Sequence, residues 1–247
     1  MNLQLRELVA EVVAGEPIGF GRIELIPLRL GRKSDLEYLV FDETLAVTDV
    51  LLEEVSTAGS VPTLRVRNRA KHRVFLPDGT MLVGCKQNRV VNLSIMIAPQ
   101  SETVIPVSCV ERGRWHSASA GFSPAEYGDS KLRQMMCAGT TQSLKRHGAV
   151  GVDQSAVWGH VESVLRGSAA ASPTRAYHAA YDKWQEQLAE YELRLPYPAG
   201  AAGLAVAVDG TIREIELFDK PATLQKLWPR LVRSHALSSL LHPGSPG

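Results

Sequence analysis

An α+β fold is expected from three observations on this chain. Short strand-like runs punctuated by turns fill residues 20–111, helical periodicity dominates beyond residue 153, and Asp209-Gly210 sits between two late alternating runs. Together they predict a β-rich N-terminal half of mainly antiparallel strands, covered by C-terminal helices and a late β-hairpin. No internal repeat or low-complexity linker interrupts the chain, so residues 1–241 read as one domain. Residues 242–247, rich in Pro and Gly, read as a flexible tail.

Each element has its own signal. Leu5, Leu8, Val9, Val12 and Val13 recur at helical spacing and predict an opening amphipathic helix, ended by Gly15-Glu16-Pro17. Strands are expected over Ile23–Leu30, Glu37–Phe41, Val47–Val55 and Val61–Arg67. Pro77-Asp78-Gly79 is a tight turn, because Pro presets one dihedral and Gly supplies the positive one. Val90–Ala98 and Thr103–Val110, joined by Pro99-Gln100-Ser101, read as a hairpin. Residues 112–151 read as a long loop with a short helix from Lys131 to Cys137. Asp153 caps a helix with Val157, Val161, Val164 and Leu165 on one face. Ser172-Pro173 opens another, whose Tyr177, Tyr181, Trp184, Leu188 and Tyr191 form a core-packing stripe. The hairpin Leu204–Val208 and Thr211–Leu217 precedes a final helix after Asp219, with Pro221 in its first turn. Leu224, Leu227, Trp228 and Leu231 face inward along it.

The composition excludes several classes. The chain has 247 residues, is 45% hydrophobic and 21% charged, and carries a formal net charge of +1, which rules out collagen-like, coiled-coil and disordered chains. That total hides a segregation. Residues 1–60 hold 5 Lys and Arg against 11 Asp and Glu, whereas residues 61–116 hold 9 against 3. Cys85, Cys109 and Cys137 are odd in number and lack C-x-x-C spacing, which argues against a disulfide framework or a structural zinc site. No secretory signal is read at the N-terminus. The longest apolar stretch, Val90–Ala98, is too short to span a bilayer, so a reduced, cytoplasmic protein without a membrane partner is expected.

The most informative segment is Lys86-Gln87-Asn88-Arg89, four large polar residues between runs that look like buried strand. Desolvating such groups without partners costs about 2 kcal/mol or more each. They must therefore reach water, each other or a ligand (a phosphate, a carboxylate or an amide-bearing base), the alternative to a ligand site being an exposed turn or bulge between strands. A second cluster follows at Cys109 to Trp115. Arg112 and Arg114 can fork onto phosphate oxygens, Trp115 can stack on a base or ribose, and Glu111 can act as a base or orient an arginine. A structural ion pair of Glu111 with Arg112 or Arg89 is the alternative. Cys109 is either a nucleophile activated by nearby positive charge or, the favoured reading, a small hydrophobe alternating with Val107 and Ile105. Arg65, Arg67 and Arg69 share one strand face, which a nucleic-acid backbone can use, but interleaved aromatics are missing and acidic neighbours are available. Nucleic acid is thus the less favoured partner. The chain has no Walker, Rossmann, zincin or nucleophile-elbow motif, and its seven histidines show no metal-ligand spacing. No metal ligands are assigned, and the cofactor is left unknown.

Asp78 through Arg89, Val91 through Ala98 and Ile105 through Trp115 resemble the "ARG and rhodanese/phosphatase-superfamily-associated protein" domain family. Ala205 through Gly210, Glu216 through Asp219 and Trp228 through Ser234 extend that resemblance over most of residues 20–241. It implies a contextual link to ADP-ribose or NAD metabolism. The matching positions are Lys86, Gln87, Asn88, Arg89, Cys109, Glu111, Arg112, Gly113, Arg114, Trp115, Glu216 and Asp219. The family usually has a small residue where Cys85 stands and an aromatic one where His235 stands. That makes Cys85 a poor nucleophile and His235 a packing residue. The expectation is a site for a small phosphate-bearing, nucleotide-like ligand, with hydrolysis by Glu111 if the protein is an enzyme. The alternatives are a non-catalytic protein-interaction module using the same surface and an RNA-binding β-face.

Overall fold

The computed structural model of the chain describes residues 3–32, 34–46, 49–56 and 58–241. Among these, α1 (Leu3–Ala10), β1 (Val12–Ala14), β2 (Ile18–Phe20) and β3 (Ile23–Leu30) come first. Then follow β4 (Tyr38–Val40), a 3₁₀ turn (Phe41–Ala46), β5 (Val50–Glu54), β6 (Thr63–Asn68), β7 (Arg73–Leu76) and β8 (Thr80–Gly84). β9 (Arg89–Val91), β10 (Ile95–Ile97), β11 (Ser101–Cys109) and β12 (Phe122–Tyr127) lead into α2 (Ser130–His147) and α3 (Gln154–Gly167). The chain ends through α4 (Ala179–Lys183), α5 (Gln185–Arg194), β13 (Gly203–Val208), β14 (Thr211–Leu217) and α6 (Pro221–Leu241). The fold is α+β, and among the described residues pairing is antiparallel at every ladder but β4–β7. Two compact units form: one from the chain up to Leu36 and from Glu186 onward, the other from Glu37–Gln185.

The Glu37–Gln185 unit holds a six-stranded sheet, β12-β8-β9-β11-β6-β5, and a three-stranded sheet, β10-β7-β4. Alternation along β6 sends Leu64 and Val66 inward, where they meet Val74, Leu76 and Ile97 of the smaller sheet and Leu52, Leu82, Val91, Ile105 and Val107 of the larger. β8 and β9 form a hairpin whose connecting residues 85–88 are the polar segment singled out by the sequence. In the other unit β13 lies between β3 and β14, and Leu224, Leu227, Trp228 and Leu231 of α6 are buried, as the helical pattern predicts. Asp209 and Gly210 both have positive φ, 50° and 71°, which matches the twist of the β13–β14 hairpin they close.

Several expectations need correction. The opening helix stops at Ala10, because Val12 and Val13 pair with Leu30 and Arg29 on β3, and Val13 is exposed. The strand expected at Glu37–Phe41 contracts to β4 and turns 3₁₀ at Phe41. Val47 and Thr48 of the strand expected at 47–55 lie outside the described residues, as does the expected tail at 242–247. The 90–110 hairpin is divided instead between two sheets: β9 pairs with β11, whereas β10 leaves to pair with β7. Buried Asn92 marks the break, its Oδ1 accepting from Ser108 Oγ. The long loop of 112–151 contains β12 and a full helix, α2. Asp129 caps that helix and Gly148 ends it in the left-handed conformation. Ser172-Pro173 opens no helix, since Ser172 Oγ accepts from Ala176 N in a turn; α4 begins at Ala179 and the helical run breaks at Trp184.

Candidate functional site

The β8–β9 loop is held in a costly conformation. Cys85 has φ of 41°, a left-handed value that disfavours a side chain by about 1–2 kcal/mol. Gly84 before it has φ of 132°, and a Cβ there would lie 2.4 Å from Ser119 Oγ and 2.6 Å from Gly121 O. Five contacts fix this geometry. Ser119 Oγ accepts from Cys85 N (3.0 Å), Cys85 O accepts from Ala118 N and from Arg114 Nη1, and Asn88 Oδ1 accepts from Gly84 N and from Arg114 Nη2.

Glu111 anchors the other side of the loop. Its Oε2 accepts from Asn88 N (3.0 Å) and from Arg114 Nη2 (2.7 Å), and Arg114 Nε lies 3.1 Å from both carboxylate oxygens. Glu111 and Arg114 are both buried, so the pair is charge-assisted and little screened. Burial alone would push the Glu111 carboxyl up. Hydrogen bonds from Arg114, Thr174 and the Asn88 amide outweigh it and hold the carboxyl below the usual carboxylate range. Glu111 is a loop anchor in this geometry, with Arg114 as its partner in place of Arg112 or Arg89.

The loop's remaining polar groups are turned inward rather than exposed. Gln87 is 7% and Asn88 3% exposed. Gln87 Oε1 accepts from Arg89 Nη1 (3.0 Å) and Cys109 Sγ (3.0 Å), and Asn88 Nδ2 donates to His178 Nδ1 (3.1 Å). Burial pushes the thiols of Cys85 and Cys109 up, which disfavours the thiolate a nucleophile needs. Gln154, opening α3, completes the frame by exchanging two hydrogen bonds with the Cys109 backbone.

Arg89 is the exception to this satisfied network. It is fully buried, yet among the described residues its Nε and Nη2 have no hydrogen-bond partner. Opposite stands Glu54 at the end of β5, with Oε1 3.8 Å from Arg89 Nη2 and both carboxylate oxygens buried and unbonded. Lys86 and Trp115 close the outer side: Lys86 Nζ and Arg89 Cζ each lie 5.7 Å from the Trp115 ring centroid, and Trp115 is 47% exposed. Gly59 lines the same place, where a Cβ would fall 2.9 Å from Lys86 Cδ and 3.4 Å from Glu54 Oε2. Glu54 is not among the residues expected at the site. Its signal was available, because Val50, Leu52 and Glu54 share one face of a strand, so the apolar face of β5 ends in a carboxylate.

Lys86, Gln87, Asn88, Arg89, Cys109, Glu111, Arg114 and Trp115 thus come together, and Arg112 does not join them. Its guanidinium stacks on Trp158 of α3 (5.0 Å) and meets Glu162 (3.3 Å). Arg65 and Arg67 are paired with Glu53 and Glu102, while Arg69 is exposed. Glu216 and Asp219 belong to the other unit. There His235 Nε2 meets Glu216 Oε1 (2.8 Å) and Nδ1 faces Glu214 Oε2 (3.7 Å). Donor atoms of these three residues lie within 4.8 Å of one another, a spacing that suits a divalent cation, but the two ring nitrogens address different carboxylates. The arrangement is that of an imidazole bridging two carboxylates. Asp219 Oδ1 accepts from Thr223 Oγ1 at the start of α6. Among the described residues no helix is long and apolar enough to cross a membrane.

Residues 11–246 match a family model described as the ARG and Rhodanese-Phosphatase-superfamily-associated Protein domain. No curated protein and no solved structure matches the chain.

Proposed function

The chain belongs to the ARG and Rhodanese-Phosphatase-superfamily-associated Protein domain family, and from that premise we propose that it binds a small phosphate-bearing, nucleotide-like ligand of ADP-ribose or NAD metabolism. The observation that carries this reading is Arg89: a fully buried guanidinium with two unused donors, beside Lys86 and under a half-exposed indole. Lys86 has no ion-pair partner among the described residues and is only partly buried, which suits a phosphate. Trp115 offers an open ring face to a base. Gln87, Asn88 and Arg114 support the site by holding the loop and have few donors left for a ligand. Binding is better supported than hydrolysis, because the Glu111 carboxylate is already engaged by Arg114 and the Asn88 amide and favours its ionised, hydrogen-bonded form.

Thermal shift with ADP-ribose, NAD and ADP tests the proposal. Saturation at about a hundredfold excess over Kd should raise Tm by about 5 °C or more. Lys86→Ala and Trp115→Ala should reduce that rise while leaving the unliganded Tm within about 3 °C. No shift with any small ligand, together with co-purification of a protein partner, would replace this reading with that of an interaction module.

A further inference from the structure

We propose, resting on that reading, that Glu54 and Arg89 form the receptor for the vicinal hydroxyls of the ligand's ribose, so that the site selects ribonucleotides over deoxyribonucleotides. Four buried atoms of these two side chains complement a diol. Among the described residues, Glu54 Oε1 and Oε2 are acceptors without donors, and Arg89 Nε and Nη2 are donors without acceptors. Glu54 and Arg89 do not satisfy each other, since Arg89 Nη2 and Glu54 Oε1 lie 3.8 Å apart, an ion pair too long for a hydrogen bond. Leaving such groups buried and unbonded is costly, and a ligand that bonds them recovers that cost. A cis-diol supplies what is missing: each hydroxyl donates one hydrogen bond and accepts another, so two hydroxyls match two acceptors and two donors. A lone phosphate matches only the arginine and is repelled by the carboxylate. Lys86, on the outer side, is then left for the phosphate.

The neighbours support the placement. Gly59 approaches both Lys86 and Glu54, leaving no room for a side chain between them. Trp115 lies over Arg89 and is itself 47% exposed, so the indole is the solvent-side cover of the two buried charges.

Titration calorimetry of the full chain with ADP and with 2′-deoxy-ADP tests the inference and needs no variant. The wild-type protein should bind ADP at least about tenfold more tightly, since a site built to bond a hydroxyl rejects the analogue lacking it. Glu54→Gln should narrow the preference to below about threefold while ADP still binds through Lys86 and Trp115. Equal affinity of the wild-type chain for the two nucleotides would overturn the diol receptor and leave nucleotide binding intact. Binding of neither ADP nor ADP-ribose would overturn both proposals. A Glu54→Gln protein that is folded by circular dichroism and keeps the full preference would remove Glu54 from the assignment.

Discussion

At the scale of single residues, the Glu111–Arg114 pair shows how a polar motif serves its own backbone. Arg114 donates to the carbonyls of Gly84 and Cys85, the residues that hold positive φ, and Glu111 neutralises it out of reach of water. Arg114→Met leaves a buried carboxylate without its cation and should cost about 3–5 kcal/mol in urea denaturation. Adding Glu111→Gln to that variant should recover part of the loss, because the uncompensated charge is then gone. The pH dependence has a definite sign. The folded-state pKa of Glu111 is depressed, so its contribution is complete above the unfolded glutamate value of about 4.3 and is lost as pH falls through the folded value. Urea midpoints measured from pH 7 down to pH 3 should fall more steeply for the wild-type chain than for Glu111→Gln. The sequence made Glu111 and Arg114 visible as charged residues near a strand end, but not their pairing. Three-residue spacing outside a helix carries no geometric rule.

Elements were legible where their cause is local and obscure where it is distant. The β13–β14 hairpin is written in Asp209-Gly210, and the α3 cap in Asp153, whose Oδ1 accepts from Ser155 N. The split of residues 90–98 between two sheets depends instead on β7 as a remote pairing partner. The helix α2 was largely hidden because its buried positions, Leu132, Arg133, Met136 and Thr140, include an arginine and a threonine, so the apolar stripe is thin. Asp129 does much of the work for this helix. It caps α2 through Leu132 N (3.2 Å) and accepts from His160 Nε2 of α3 (2.7 Å) and from the Tyr177 hydroxyl (2.7 Å). Burial of Asp129 opposes its charge, yet these hydrogen bonds and the adjacent His160 hold its carboxyl below the ordinary range. Asp129→Ala removes the cap and orphans two buried partners, which should cost on the order of 3 kcal/mol. Asp129→Asn should retain more of the cap while flattening the acid limb of the stability curve. Thermal melts at pH 7 and at about pH 2.5 check both outcomes, since a depressed carboxyl loses its contribution only below the unfolded aspartate value of about 3.9.

For the whole molecule, the charge segregation becomes contacts once the sheet is built. Glu53 on β5 faces Arg65 and Arg67 on β6, and Glu54 faces Arg89. The acidic first sixty residues and the basic stretch that follows thus neutralise each other in part, across the adjacent strands β5 and β6 and between the ends of β5 and β9, which no average over 247 residues reveals. Connectivity divides the molecule differently. The core cluster from Phe41 to Phe122 lies wholly within Glu37–Gln185, a continuous segment that also contains the proposed ligand site. The other unit needs both ends of the chain, since β3 and β13 pair through Leu28 and Gly203 across a wide sequence separation. Residues 37–185, expressed alone, should therefore unfold cooperatively in urea and keep the nucleotide response of the full chain. A fragment near 150 residues buries about 68–70% of its unfolded surface, enough for an independent core. A sloping, non-sigmoidal transition would show that this core depends on the rest of the chain. The single domain expected over 1–241 then becomes a statement about cooperativity: one transition in the full chain supports it, and two transitions make the units independent.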